Sequence, residues 1–281
     1  MRASPPAPAQ GAPAAAFDAF EAAGWARAAA AYQRFFSPIT RRLVAPVLDA
    51  AGVGAATRLL DVACGPGDLV AEAATRGARP VGIDVAEAMV AMAEASHPGL
   101  HFRQGDAQRL PFPAGAFDVV VASFAIMHLA EPQRAAAEMA RVLDADGRAA
   151  VTVWDVPERA RLFGWVLEAI AAAGTETPAD IPEGIPFFRF ADEADLAGLL
   201  HAGGFSTVSV STVAFTHRAA SCDAIWTGIV EGSVRTAALI RGQPLDVQRR
   251  IRAHFDALVT AAATPEGITI PCSVKLAVAS R

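Results

Sequence analysis

The chain has 281 residues, enough for one large domain, and its formal net charge is −5. Lys and Arg do not cluster into a stripe, and the apolar run at 119–127 is too short for a bilayer, so we expect neither a nucleic-acid nor a membrane partner. The three cysteines, Cys64, Cys222 and Cys272, form an odd number without a CxxC motif. This usage indicates a reduced, cytoplasmic protein without disulfides or structural zinc.

The N-terminal part divides into a tail and a helical segment. Residues 1–16 are rich in Pro and Ala and lack a continuous apolar stretch, which predicts a disordered tail and not a signal peptide. Residues 17–56 are predicted to be helical, and Pro38 and Pro46 divide them into separate helices.

Strand and helix patterns alternate from residue 57 onward. Short apolar runs predict buried strands, and the stretches between them that end in Gly or Pro-Gly predict helices. The short loops indicate an α/β fold with a doubly wound, mostly parallel sheet. Strands are predicted at 57–63, 78–84, 100–104, 116–124 and 148–154, and helices at 67–77, 86–97 and 131–147.

The second half interrupts this alternation with helical insertions, and we assign residues 57–281 to a single domain that carries them. The insertions are predicted at 156–190 and 219–267, with a helix at 191–205 and strands at 206–217 and 268–280.

Four stretches carry a resemblance to a known family. They are LLDVACGPGDL (59–69), VGIDVAEAMV (81–90), GDAQRLPFPAGAFDVVVAS (105–123) and RVLDADGRAAVTVW (141–154). In this order and spacing they resemble the class I S-adenosylmethionine-dependent methyltransferases, and most of all the small-molecule branch that includes the quinone-biosynthesis enzymes. The resemblance implies a Rossmann-like sheet of seven strands with the last strand antiparallel. It also implies S-adenosylmethionine as cofactor, which leaves as S-adenosylhomocysteine.

The turn after the first strand suits a cationic cofactor. S-adenosylmethionine lacks the pyrophosphate of a nicotinamide cofactor and carries an ammonium and a sulfonium group. Asp61 at the end of the strand is predicted to face these charges, directly or through water, or alternatively to cap the next helix. Gly65 and Gly67 leave room for the ligand, and Ala63 replaces the first glycine of the family's acid-x-Gly-x-Gly-x-Gly pattern.

The ends of the next strands supply the remaining predicted cofactor contacts. Asp84 ends the second strand, where an acid accepts hydrogen bonds from ribose hydroxyls; a helix N-cap is its alternative role. The resemblance implies that Asp106 binds the adenine amino group and that the Ala107 amide donates a hydrogen bond to a ring nitrogen. The alternative for Asp106 is a solvated turn residue. Met89 is expected at the adenine face or in the core. The predicted cofactor site is completed by Val85, Gly105, Ser123 and Phe124.

Absent motifs narrow the class further. The fourth strand ends in ASFA, and not in the Asn-Pro-Pro-aromatic signature of methyltransferases that act on amino groups of nucleobases or glutamine. A Pro-Gly break separates His97 from His101, so they are not a metal pair and we predict no metal site.

The aromatic residues predict an acceptor pocket. Of the 20 aromatic residues, 15 lie outside residues 57–154. We expect the N-terminal helices and both insertions to form a cap over the carboxyl edge of the sheet, where a flat apolar acceptor would fit. Packing of helices onto the core is the alternative. The predicted pocket residues are Tyr32, Phe35, Phe36, Trp165, Phe188 and Trp226.

His128, just after the fourth strand, is the predicted general base if the acceptor must lose a proton; a structural role is its alternative. The predicted reaction is in-line methyl transfer to O, N or C of a small aromatic, quinone-like or natural-product acceptor. The alternatives are a methyltransferase of RNA or protein and a nicotinamide-dependent oxidoreductase. A second copy of the chain is one candidate partner.

Overall fold

The computed structural model of the protein describes residues 12–264 and 267–281. Its first helix begins at Ala12, so residues 12–16 of the predicted tail are helical. The prediction for residues 1–11 lies outside the described residues.

The sheet has the predicted architecture. Its strands follow the order β3-β2-β1-β4-β5-β8-β6, and the two-residue strand β7 pairs with β8. Strands β1 to β5 are parallel, whereas β8 runs antiparallel between β5 and β6. The doubly wound seven-stranded order with an antiparallel last strand is therefore confirmed. The strands are β1 (Arg58–Val62), β2 (Arg79–Asp84), β3 (His101–Gln104), β4 (Phe117–Ser123), β5 (Leu143–Trp154), β6 (Thr207–Ala219), β7 (Ala263–Thr264) and β8 (Gly267–Ser280).

Helices cover the sheet and extend beyond its carboxyl edge. Pro38 and Pro46 lie in the first turns of their helices, where a missing N–H leaves no helical hydrogen bond unmade. None of the described helices is long and apolar enough to cross a membrane. The helices are α1 (Ala12–Phe35), α2 (Ser37–Thr40), α3 (Val44–Ala50), α4 (Asp68–Thr75), α5 (Glu87–Ser96), α6 (Pro132–Val142), α7 (Arg161–Ala172), α8 (Glu193–Ala202), α9 (Cys222–Gly232), α10 (Arg235–Arg241) and α11 (Leu245–Ala261), with 3-10 turns at Arg41–Leu43, Ile126–His128 and Arg189–Ala191.

The helix predicted at 131–147 extends five residues too far at its C-terminal end. Helix α6 ends at Val142, and Leu143 already belongs to β5, where it pairs with Phe117 of β4. A register shift follows before Arg148 pairs with Val119. Burial of Leu143 against the neighbouring strand outweighs the local helical pattern of the sequence.

The core is centred on β4 and β5, whose nearly continuous apolar sequences predict strands covered on both faces. Val120 and Val121 of β4 are fully buried, as are Ala149, Ala150 and Val151 of β5. This packing fixes the carboxyl ends of both strands, from which the loops of the site begin.

A buried polar network holds the end of β5 to β8. Asp155 accepts a hydrogen bond of 2.7 Å from the Ser273 hydroxyl, and its backbone N–H donates to the Ser273 carbonyl at 3.0 Å. Lys275, only 5% exposed, lies 3.8 Å from the Asp155 carboxylate. Its ammonium donates to Glu193 and Thr212 at 2.7 and 2.8 Å. The network holds Asp155 in place and so supports the position of the preceding residue, Trp154.

We expect Lys275→Met to lower the free energy of unfolding by about 3–5 kcal/mol, because it removes the buried cation beside Asp155 and leaves that carboxylate with the mostly exposed Arg159, 3.6 Å away. Chemical denaturation gives this value. The double variant Asp155→Asn/Lys275→Met removes both charges and should recover part of the loss. A single variant that loses less than about 1 kcal/mol would contradict this assignment.

Candidate active site

A cavity of about 570 Å³ lies at the carboxyl ends of the parallel strands. Ala63, Asp84, Asp106, Ser123 and Trp154, at or just after the ends of β1 to β5, line one side of it. Parallel strands direct their carboxyl ends to the same edge, so residues far apart in sequence meet there. This is the edge at which the sequence predicts the cofactor.

Helices from outside the central alternation line the opposite side. Trp25 and Tyr32 come from α1, Phe163 from α7, and Phe187 from the loop after it. Residues 232–236, at the junction of α9 and α10, complete this side. The N-terminal helices and both insertions therefore contribute to the cavity.

The turn between β1 and α4 has a left-handed backbone at alternate positions. Ala63, Gly65 and Gly67 have φ values of +59°, +51° and +87°. Ala63 and Gly65 line the cavity. Gly67 does not, because it packs against β3, where a Cβ on it would lie 2.8 Å from the Phe102 ring. Ala63 occupies a conformation that costs a non-glycine residue about 1 kcal/mol.

Asp84 joins this turn to the end of β2. Its Oδ2 accepts a hydrogen bond of 2.9 Å from the Gly65 N–H, and its Oδ1 accepts one of 2.9 Å from the Ala86 N–H at the start of α5. Burial raises the pKa of Asp84, and the backbone donors oppose that rise. The carboxylate lines the cavity, and its remaining lone pairs can accept from ligand hydroxyls.

Asp61 does not line the cavity. Its side chain is buried, with 2% of the residue exposed. Burial, and then the charges of Asp84 and Asp68, raise the pKa of Asp61 well above its usual value. The hydroxyl of Tyr32 lies near the same three carboxyls, and burial raises the pKa of Tyr32 to about 12. The role of Asp61 toward the cationic end of the cofactor, directly or through water, stays a prediction.

The loop after β3 brings the predicted adenine-binding residues together. The Asp106 Oδ1 accepts a hydrogen bond of 2.8 Å from the Gln108 N–H, which shapes the loop. Gly105 passes so close to Ile83 that a Cβ would collide with that side chain. The predicted residues Val85, Met89, Gly105, Asp106 and Ala107 all line the cavity.

Phe124 has an unusual backbone at the end of β4. Its φ is +56°, and its N–H donates to the Thr152 carbonyl at 3.0 Å. The neighbouring Ser123 hydroxyl lies 2.9 Å from that of Thr152. The Phe124 ring packs at 4.6 Å from that of Trp154, so the strained residue presents an aromatic wall to the cavity.

The structure divides the six predicted pocket residues. Tyr32, Phe36 and Phe188 line the cavity, whereas Phe35, Trp165 and Trp226 do not. The reason is that the last three pack between helices. The Phe35 ring fills the space beside Gly228 of α9, Trp165 is buried in the core beneath Arg161, and Trp226 contacts Phe255 of α11 at 5.2 Å.

Four aromatic residues that line the cavity are not among the six predicted pocket residues: Trp25, Trp154, Phe163 and Phe187. A sequence signal exists for Trp25, which lies seven residues before Tyr32 and so shares its helical face. Phe187 adjoins the predicted Phe188, but no pattern in the neighbouring sequence predicts that its side chain faces the cavity.

His128 lines the cavity at the end of the 3-10 turn after β4. Its ring makes edge contacts with Trp25 at 4.9 Å and with Phe187 at 5.4 Å. Its Nδ1 lies 3.0 Å from Oε2 of Glu21, a residue of α1 that sequence reasoning did not identify. The imidazole is thus held by an acid and two rings.

The charge of the cavity is predominantly negative. Of the described residues that line it, Arg235 is the one guanidinium or ammonium group, against the carboxylates of Asp18, Glu21, Asp84 and Asp106. No group of three or more potential metal ligands occurs among the described residues. An acidic cavity of this kind suits a cationic ligand.

Comparisons with known proteins define the class. Residues 60–151 match the family model described as a methyltransferase domain. The chain is 37% identical to nocamycin O-methyltransferase of Saccharothrix syringae, over 69% of this chain and 74% of that protein. It is 32% identical to demethylmenaquinone methyltransferase of Beutenbergia cavernae, over 57% of this chain and 70% of that protein. The chain therefore belongs to the class I S-adenosylmethionine-dependent methyltransferases.

Solved structures share the fold at lower identity. The YcgJ protein of Bacillus subtilis is 19% identical, with a TM-score of 0.56 over 85% of this chain and 98% of that one. A protein from an antibiotic biosynthesis pathway of Anabaena variabilis is 16% identical, with a TM-score of 0.59 over 85% and 97%. Together with the relatives above, the fold makes the protein an S-adenosylmethionine-dependent methyltransferase.

We expect Ala63→Gly to stabilise the protein by about 1 kcal/mol, because glycine adopts the left-handed backbone without a Cβ clash. Part of this gain is offset by the greater freedom of glycine in the unfolded chain. Thermal and chemical denaturation measure the change. Gly65→Ala is the matched reverse substitution and should destabilise, whereas a loss of stability in Ala63→Gly would contradict the assigned strain.

We expect Asp61→Asn to raise the melting temperature near neutral pH and to weaken S-adenosylmethionine binding. A carboxyl whose pKa is raised by folding loses stability as pH rises from its unfolded toward its folded pKa, and a neutral amide escapes that loss. A bound cation favours the carboxylate, so the wild-type affinity should rise with pH across the same window. Calorimetry from about pH 5 to 8 tests this, and a pH-independent wild-type affinity would refute it.

Proposed function

We propose that the protein methylates a hydroxyl group of a flat, largely apolar small molecule. The observation that carries the proposal is a single cavity with two chemically different halves. Strand ends supply carboxylates and a glycine turn, and the helices supply aromatic rings around His128. The names of the two relatives, an O-methyltransferase and a quinone methyltransferase, support an acceptor of this kind.

In the cofactor half, we assign the ribose hydroxyls to Asp84 and the adenine to the loop at Asp106 and Ala107, with Val85 and Met89 against the ring. The chemistry of the donor set supports this, since the ring nitrogens and amino group of adenine need an amide donor and a carboxylate acceptor. The turn at Gly65, beside the charges of Asp61 and Asp84, takes the cationic amino-acid end. When bound, S-adenosylmethionine supplies a methyl carbon activated by sulfonium.

In the acceptor half, the aromatic side chains exclude water and orient the acceptor. Tyr32 and Phe36 stack with ring centroids 5.6 Å apart, and Phe163 lies 5.4 Å from Phe187. Flat apolar walls favour a flat apolar molecule. We infer that residues 17–56, 156–190 and 219–267 act together as a cap, which aligns the acceptor oxygen with the methyl group.

His128 supplies the proton-transfer step in this proposal. A neutral hydroxyl is a weak nucleophile, and an imidazole can take its proton near neutral pH. The aromatic lining and the volume of about 570 Å³ argue for a small molecule, in preference to RNA or a protein, as the acceptor. A hydroxyl acceptor gives His128 a function that an acceptor without a dissociable proton would not need.

We expect Asp84→Ala to weaken S-adenosylmethionine binding by about 1–3 kcal/mol, or roughly 5- to 150-fold, because it removes a charged acceptor of the ribose hydroxyls. Isothermal calorimetry with S-adenosylmethionine measures this, and NAD should not bind the wild-type protein. Asp49→Ala is the matched control, since Asp49 forms an exposed ion pair with Arg76 away from the cavity. Wild-type protein that binds NAD and not S-adenosylmethionine would refute the proposal.

Transfer of a labelled methyl group to a panel of phenols, quinols and enols, with the matching amines, tests the acceptor class. We expect product from the hydroxyl compounds. Product from the amines alone would contradict a hydroxyl acceptor while leaving methyl transfer established.

A further inference from the structure

One face of α1 brings acidic and aromatic side chains to the cavity. Asp18, Glu21, Trp25 and Tyr32 are separated by three, four and seven residues, which places them on the same side of a helix. All four line the cavity. Helix α1 is therefore part of the site.

Glu21 is an acid with little access to water. It is 3% exposed, and its Oε2 lies 3.0 Å from Nδ1 of His128. Its Oε1 is 3.1 Å from Nε of Arg235 in an ion pair, and neither of these two atoms has a hydrogen-bond partner among the described residues. The hydrogen bond of this buried carboxylate is thus directed at the imidazole.

Arg235 is fixed independently of Glu21. Its guanidinium donates to the carbonyls of Ile185, at 2.9 Å, and Met127. It also lies over the rings of Phe17 and Phe187 at 5.4 and 5.1 Å. Burial lowers the pKa of Arg235, and the Glu21 charge opposes that effect. A guanidinium keeps its proton in proteins, so Arg235 places a positive charge 3.1 Å from the Glu21 carboxylate.

Asp18, one turn earlier on α1, makes different contacts. It accepts hydrogen bonds from the Ala130 N–H at 3.1 Å and from the Gln108 side chain at 2.9 Å. These contacts tie α1 to the loops after β3 and β4. Of the charged groups packed around His128, Glu21 is the one hydrogen-bonded to its ring.

We propose that Glu21 is a positioning residue that fixes the tautomer of His128 for proton abstraction. An ionised carboxylate can only accept a hydrogen bond, so Nδ1 must carry the proton of the neutral imidazole. The lone pair then resides on Nε2, and Arg235 balances the charge of Glu21. The proposal deepens the proposed function and rests on it for the identity of the reaction.

The proton balance follows from this arrangement. The acceptor hydroxyl gives its proton to Nε2 of His128 as its oxygen forms a bond to the methyl carbon and the carbon–sulfur bond breaks. The resulting imidazolium, stabilised by Glu21, then releases the proton to solvent. The products are a methyl ether, S-adenosylhomocysteine and one proton. An acceptor without a dissociable proton would gain nothing from Glu21.

Nuclear magnetic resonance of protein labelled with ¹⁵N-histidine tests the tautomer directly. His128→Gln identifies the His128 signals among those of the six histidines. We expect the neutral wild-type ring to carry its proton on Nδ1, and Glu21→Gln to shift it toward Nε2, because an amide can donate to Nδ1. A wild-type ring with its proton on Nε2, or an unchanged tautomer in Glu21→Gln, would overturn the proposal.

Glu231→Gln is the matched control. Glu231 also pairs with an arginine, Arg34 of α1, at 3.3 Å, but its side chain is 48% exposed and lies outside the cavity. We expect this variant to leave the His128 tautomer and turnover unchanged.

Single-turnover methylation of a hydroxyl acceptor gives the second readout. Glu21→Gln should lower the rate by about 10²–10⁴-fold, while S-adenosylmethionine affinity stays within about twofold of wild type. Equal loss of rate and affinity would indicate a structural role and overturn the proposal. Failure of the wild-type protein to bind S-adenosylmethionine would instead contradict the proposed function, and the tautomer measurement distinguishes the two.

Discussion

The tight turn between β1 and α4 is the constraint on which the rest of the site depends. Left-handed residues at alternate positions reverse the chain so closely that its backbone, and not bulky side chains, faces the cavity. Asp84 fixes the turn through the Gly65 N–H. The Tyr32 ring of α1 lies 4.0 Å from the Cβ position of Gly65, an ordinary van der Waals distance, so α1 packs directly over this turn.

The packing of α1 over the strand ends produces a cavity with an acidic half and an aromatic half. In one half, Asp61 and Asp84 form an acidic end that suits a cation. Burial raises the pKa of both carboxyls, and the charges of Asp84 and Asp68 add to the rise at Asp61. In the aromatic half, one imidazole lies between an acid and two rings. Methyl transfer to a carbon that is already activated depends mainly on alignment, and under the proposed function the cavity walls supply that alignment.

Much of the fold and of the cofactor half is predictable because its signals are local. Strand, turn and acid follow one another within a few residues at β1 and β2, so position in sequence implies position at the sheet edge. Prediction is less successful where pairing between strands outweighs local preference. The stretch LDADG extends a helical pattern, but Leu143 is buried opposite Phe117 and begins β5. The spacing of residues in the sequence also does not predict that the Asp61 side chain is buried and does not line the cavity.

The sequence by itself determined the alternating α/β architecture, the glycine turn and the acids at the strand ends, since each is written within one short segment. Only the tertiary structure decided which aromatic residues face the cavity, because composition gives their number and not their direction. In the structure Phe35, Trp165 and Trp226 pack between helices, whereas Trp25 and Phe187 line the cavity. It also joined Glu21 to His128 across 107 positions, a contact that depends on α1 packing over the completed sheet edge.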